Sequence, residues 1–393
     1  MRSGEGPTGW ARSHEKTVRV STWSTTPSAT RPIGVAILNE ESARGRAPTL
    51  DDRQLSLYLH VDDAVILADG TTAGRADRVM HGVADGLQEA GFGVDDRSED
   101  HQLEKVVGYE LQRRPAKIRL PGAKSVLLED ALLYLGRAAL ADTHALRSVL
   151  GVWIWGALLR RDLLCIPHAV FRFLDAYPDR TVCWWESARR EVFVMAAVVG
   201  LMSADVGAPL ATCLFAADAM GASDDAGGYG LVAADVSAAV ARDCLLVGLR
   251  PGKTVTKLSG EFSGVARPDE AFRRATPFTR LPRTLFREDE TEWHYVAAGR
   301  WAYADHITLG EMRVIVLLSR LLCSNWQARR RKYIVLEDNF PCAASVMKGR
   351  SPSPSLIFLL RKKAAHCLTS EVVLLLPWVE SELQPADALS RMH

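Results

Sequence analysis

The sequence predicts an α/β protein in two parts: an α+β segment, then a domain with a mixed central sheet. Three observations predict this. Leu55, Leu57, Leu59 and Val61 alternate with Ser56, Tyr58 and His60, the period of a half-buried strand. Over 124–176, Leu and Ala recur at helical spacing. From about 205, short apolar runs of strand length alternate with helical patterns, and several end at a carboxylate.

Taken in order, residues 1–50 carry little periodicity and much Gly, Pro, Ser and Thr, so they read as mostly disordered. Val65, Ile66 and Leu67 form a second short apolar run after the alternating strand, giving a β-hairpin with Asp62 and Asp63 at its tip. Val79, Met80, Val83 and Leu87 then recur at helical spacing, with Gly91 as a C-cap. Residues 105–121 read as a second hairpin turning near Arg113, Arg114 and Pro115. The helical stretch follows, with Trp153, Trp155, Trp184 and Trp185 read as core. Further on, 211–221 reads as a buried strand carrying Asp218, 227–237 as its returning partner and 292–303 as a third strand. An irregular segment, 240–292, intervenes as an insertion. Residues 308–322 form an amphipathic helix bearing Glu311, 332–340 a strand ending in Asp338, and 371–379 another strand. Pro385 begins a short helix over 384–392 bearing Asp387. The organisation is 1–50, 51–122, 123–205 and 206–393.

Bulk properties narrow the function. The chain has 393 residues, 48% of them hydrophobic, with a net charge of +1, so nucleic-acid binding must be argued from local patches. Its seven cysteines are scattered without CxxC spacing, which argues against a disulfide framework or zinc site and suits a reducing compartment, nucleus or cytoplasm, rather than secretion. The longest apolar stretch, 192–202, is too short for a membrane span. Two adjacent carboxylates, Asp62 and Asp63, repel each other unless a cation shares the charge, although an Asp-rich turn gives the same pattern. Asp218 and Asp338 end strands, where open α/β sheets gather functional groups. With Glu311 and Asp387 they could hold two Mg²⁺ or Mn²⁺ ions about 4 Å apart, since such ions prefer oxygen ligands. Four unrelated surface acids would satisfy the same spacing.

A family resemblance joins these pieces. "LHVDDAVILADG" (59–70) resembles the YxDD box of reverse transcriptases, with His60 in the place of Tyr, and "VVGYEL" (106–111) is similar to their primer-gripping hairpin. "FAADAMGASDDAGGYGLV" (215–232) resembles the opening hairpin of their ribonuclease H domain, and "HITLGEMRVIVLLSRLL" (306–322) its first helix. "VLEDNFPCAASVMKG" (335–349) is similar to its next catalytic strand and "LPWVESELQPADALSR" (376–391) to its closing segment. In this order the motifs resemble a DIRS-type or related retrotransposon polyprotein from about 55 to 393.

The resemblance implies the end of a polymerase palm over 51–122, a helical thumb and connection over 123–205, and a ribonuclease H-like domain over 206–393. It implies two-metal hydrolysis of the RNA strand of RNA–DNA hybrids by Asp218, Glu311, Asp338 and Asp387, with Asp62 and Asp63 as half of a polymerase metal site. Met220 stands where Ser is usual, the Asp224–Asp225 pair lies nearby, and His306 matches a family position but reads as structural. The third palm aspartate, the fingers and the nucleotide-binding segment have no counterpart before Asp62, so polymerase activity is not expected from this chain. Arg329, Arg330, Arg331 and Lys332, with Arg361, Lys362 and Lys363, could contact the phosphates of a hybrid; a solvated loop and helix face read equally well. The alternative to an enzyme is a catalytically dead relic that at most binds nucleic acid.

Overall fold

A strand covered on both faces has no polar side, so the central strands of a sandwiched sheet are unbroken apolar runs. In the structure, a computed structural model, residues 17–25, 56–60, 63–69, 73–89, 93–98, 105–112, 115–221, 227–249, 285, 291–302 and 305–391 are described. The protein is α/β, as the sequence predicts. It falls into two compact units, Met1–Val107 and Gly108–His393.

The first unit holds β1 (Thr17–Thr25), β2 (Ser56–His60), β3 (Asp63–Asp69), α1 (Ala73–Glu89), β4 (Gly93–Ser98) and β5 (Lys105–Val106). The first hairpin forms as expected, β2 antiparallel to β3, with His60 opposite Asp63. Within the segment read as mostly disordered, Thr17–Thr25 form β1, which lies between β3 and β4, parallel to both; the rest of 1–50 lies outside the described residues. Its β-branched and aromatic residues, "TVRVSTWST", fit a pleated strand. In α1, Met80 and Ala84 are buried while Val79 is exposed. Asp62 and Gly91 lie outside the described residues, and Asp63 opens β3 in register with Arg19 of β1.

The second unit begins with the second hairpin, β6 (Tyr109–Gln112) and β7 (Lys117–Arg119), with Leu111 opposite Ile118. Helices α2 (Gly122–Arg137), α3 (Thr143–Ala157), α4 (His168–Ala176) and α5 (Glu186–Ala197) form the expected bundle, and β8 (Leu140–Asp142) pairs with β9 (Thr181–Cys183). Asp142 caps α3, accepting from the amides of His144 and Ala145 at 3.0 Å. Trp153 is fully buried and donates to Met195 O at 3.1 Å, and Trp155, Trp184 and Trp185 pack against the same core. β10 (Ser203–Asp205) pairs with β7.

The sheet that follows has the order β13–β12–β11–β14–β15: β13 (His294–Arg300), β12 (Gly228–Asp235), β11 (Cys213–Ala219), β14 (Lys332–Leu336) and β15 (Val373–Leu375). β11 to β13 form an antiparallel meander, and β14 and β15 add in parallel. Helices α7 (Ile307–Ser324), α8 (Phe340–Lys348) and α9 (Pro354–Ser370) cover one face; α6 (Ala238–Leu249) and α10 (Asp387–Arg391) lie on the other. The period of two shows in the core. Phe215, Ala217, Tyr333 and Val335 join the α7 side, which runs on without a break into the helical bundle. Leu214, Ala216, Ile334 and Leu336 join the α6 side. The first ten residues of the expected irregular insertion, 240–249, thus belong to α6, and 250–284 lie outside the described residues.

Buried charge ties the bundle to this domain. Lys363, 3% exposed, pairs with Asp162, which also meets Arg160 Nε at 3.3 Å. Arg160 donates to Cys367 O and Val372 O at 2.7 and 2.8 Å. Arg361 donates to Cys165 O and Ile166 O at 3.0 and 2.6 Å and pairs with Glu191. Gly349 completes the seam: at φ +68°, a Cβ there would sit 1.8 Å from Arg161 O.

Candidate metal centre

Two of the clustered carboxylates are placed by adjacent strands of the sheet. Asp218 follows the parity of Leu214 and Ala216, and Asp338 lies just beyond the end of β14 on the parity of Ile334 and Leu336. Glu311 comes from the first turns of α7, which His306 caps by accepting from Thr308 N at 3.2 Å. That confirms the structural reading of His306. Asp218, Glu311 and Asp338 each offer an oxygen, and these oxygens lie within 4.8 Å of one another. The close approach of α10 depends on glycine: a Cβ at Gly228 would lie 2.2 Å from Ser390 O, and one at Gly230 would lie 2.8 Å from Ala386 O.

The cluster is electrostatically expensive without a cation. Burial, and behind it the charges of Asp338 and Asp387, push the Asp218 carboxyl up to about 6 against the pull of Ser390 and Arg391. Burial and then Glu337 raise Glu311 well above the usual carboxylate range. Glu311 is 2% exposed, and its Oε2 has no hydrogen-bond partner among the described residues. A divalent cation would satisfy that oxygen and the shared negative charge, so the donor set fits Mg²⁺ or Mn²⁺.

Asp387 stands apart from the three. It opens α10 and holds Arg391 at 2.7 Å, one helical turn on. It contributes field to Asp218 without joining the shared-oxygen cluster among the described residues. Two buried groups escaped the sequence reading. Glu337, fully buried, continues the inward parity of Val335 and accepts from Asn339 N at 3.2 Å. The apolar run "YIVL" leading directly into it was the available signal. Gln384 donates to Ala217 O at 3.0 Å, fixing the strand that carries Asp218.

The basic residues of the two clusters divide between internal ion pairs and the surface. Arg361 and Lys363 are consumed by the buried network, leaving Lys362, exposed and 4.6 Å above the Phe358 ring. Arg330, at φ +56°, pairs with Glu371 at 2.9 Å and with Asp205 at 3.5 Å. Lys332 is half-buried, donates to Val206 O at 3.3 Å, and is lowered by burial. Only Arg329 and Arg331 of that run are exposed without an acid among the described residues.

The raised carboxyls set a pH dependence. An acid whose folded pKa exceeds its unfolded value binds its proton more tightly when folded. Its stabilising contribution is whole below the unfolded value, 3.8 for Asp218, and is lost as pH rises through about 6. For Asp218 that amounts to about 3 kcal/mol at most. In chelator, denaturant unfolding of the wild type is therefore expected to lose stability between about pH 4 and pH 7. Asp218→Asn should flatten that slope. An unchanged slope in the variant would remove Asp218 from the buried cluster.

Neither a known protein family nor a curated protein matches the sequence. Among solved structures, the chain is similar to a foamy viral protease–reverse transcriptase in complex with an RNA/DNA hybrid. That match has a TM-score of 0.28 and 8% identity, covering 86% of this chain and 58% of the other. A second, the foamy viral protease–reverse transcriptase dRH in complex with double-stranded DNA, gives a TM-score of 0.30 and 8% identity, covering 82% and 46%. The chain thus spans less than two thirds of these enzymes. Among the described residues, no helix is long and apolar enough to cross a membrane.

Proposed function

We propose that the second unit is a ribonuclease H-like hydrolase acting on the RNA strand of RNA–DNA hybrids. The observation that carries this reading is the convergence of Asp218, Glu311 and Asp338 at one end of a mixed five-stranded sheet. The ordered motifs of the retroelement resemblance support it. Asp218, Glu311 and Asp338 would hold Mg²⁺ or Mn²⁺, which when bound activates water and neutralises charge on a phosphodiester. The chain's own part is positional. β11 and β14 fix two carboxylates side by side, α7 brings the third, Gln384 holds β11 through Ala217 O, and the α10 segment packs on the neighbouring β12. Asp338, half-buried where the other two are buried, gives the cluster its opening to substrate.

Polymerisation is not part of this reading. β1, the strand beside β3, has Arg19 in backbone register with Asp63 and carries no carboxylate over Thr17–Thr25. Asp62 and Asp63 therefore remain a candidate half-site. A second reading, a non-catalytic nucleic-acid-binding relic, is favoured by Asp387, whose carboxylate is engaged by Arg391.

The test is a labelled hybrid incubated with purified full chain. Cleavage of the RNA strand, dependent on Mg²⁺ or Mn²⁺ and absent from duplex DNA, is expected, because the 2′-OH distinguishes the strands. Well-folded protein that leaves the hybrid intact selects the relic.

A further inference from the structure

We propose that the turn closing α7 is a platform for single-stranded nucleic acid, separate from the carboxylate cluster. Trp326 lies in this turn and is 79% exposed. Every other tryptophan whose side chain is described is buried or half-buried. An indole this exposed offers a π-face on which a base can stack. The indole does not stand alone. Arg329 lies 5.0 Å from its ring centre, and its guanidinium is anchored by two bonds to Cys323 O at 3.3 and 3.2 Å. Arg331 is held by Gln327 O at 3.2 Å. Arg320 is exposed on the last turns of α7. Among the described residues, none of these three arginines pairs with a carboxylate, although Arg330 between them is neutralised twice. The backbone anchors leave the remaining guanidinium N–H groups for a ligand.

A flat indole beside the anchored, unneutralised guanidiniums of Arg329 and Arg331 matches a base stacked beside its phosphates. A duplex keeps its base faces stacked inside, so the exposed ring selects an unpaired strand. The platform sits at the opposite end of β14 from the metal centre. Strand β14 starts at Lys332, directly after the turn, and Asp338 lies six residues on, about 20 Å at the rise of an extended chain. A strand held here is one outside the cleavage site. Binding requires neither the acids nor a metal, so it stands or falls independently of the hydrolytic reading.

The experiment is fluorescence anisotropy of a labelled short oligouridine with the full chain in chelator, across a salt series. Wild type is expected to bind, with a log–log salt slope of about −2 for three phosphate contacts. Trp326→Ala should weaken binding roughly 5- to 100-fold, the worth of one stacked base. Trp326→Phe should restore part of that, and Arg331→Gln should make the salt slope shallower. Far-UV circular dichroism and the unfolding midpoint confirm that the exposed-site variants fold. Equal affinity of wild type and folded Trp326→Ala, duplex DNA competing as well as single strand, or no binding at low salt would each overturn the proposal.

Discussion

Asp338→Asn is expected to lower metal-dependent cleavage of an RNA–DNA hybrid by on the order of a thousandfold, with the fold intact. Asn keeps the shape of the side chain, and the backbone carbonyl that accepts from Trp378 Nε1 at 2.7 Å is untouched. What disappears is one of three converging negative charges, and with it the means of holding a dication between β11 and α7. The same loss should stabilise the metal-free protein, because Asp338 raises both Asp218 and Glu311. Activity and stability should therefore move in opposite directions, which an unfolded or misfolded variant would not show. Asp387→Asn should cost less, since that carboxylate already holds Arg391. Equal cleavage by wild type and Asp338→Asn would point to a contaminating nuclease or a different site.

The candidate centre was legible where chemistry followed local pattern. Asp218, Glu311 and Asp338 ended or rode on elements whose periodicity was strong: "CLFAADA" is buried at all but its first position, and α7 buries nine of its residues. Helices α8 and α9 left weaker marks, yet their signals exist. Asn339 caps α8 two residues before Pro341, and Ser353 caps α9 directly before Pro354. Arg361 and Lys363 misled for a physical reason. A run of cations looks solvated when its partners lie far along the chain. Lys363 meets Asp162 across 201 residues, and Arg361 meets Glu191 across 170. Asp387 misled in the opposite way, because its partner, Arg391, was in plain view at i+4. β1 was missed because its β-prone residues sit within a stretch whose overall composition is polar and glycine-rich.

Lys363→Met is expected to destabilise the second unit by about 3 to 5 kcal/mol, the cost of removing one partner from a buried pair. Met fills most of the same volume, so the loss is electrostatic. Lys363 is raised and Asp162 lowered from their ordinary values by each other's charge, acting against burial, and Arg160 alone is left to balance Asp162. Pairing Lys363→Met with Asp162→Asn should recover part of the loss, because two neutral side chains bury more cheaply than one unpaired carboxylate. Arg160 then keeps its bonds to Cys367 O and Val372 O. The location decides how the loss is felt. Asp162 belongs to the turn after α3 and Lys363 to α9, so the pair spans the seam between the helical bundle and the sheet domain. One hydrophobic core crosses that seam, so bundle and sheet are expected to unfold together, in a single transition shifted to lower denaturant with an unchanged slope. If Lys363→Met instead split the transition in two, with the sheet domain retaining wild-type stability, bundle and sheet would be independent domains joined by a dispensable contact. A double variant no better than the single one would assign the cost to packing and not to charge.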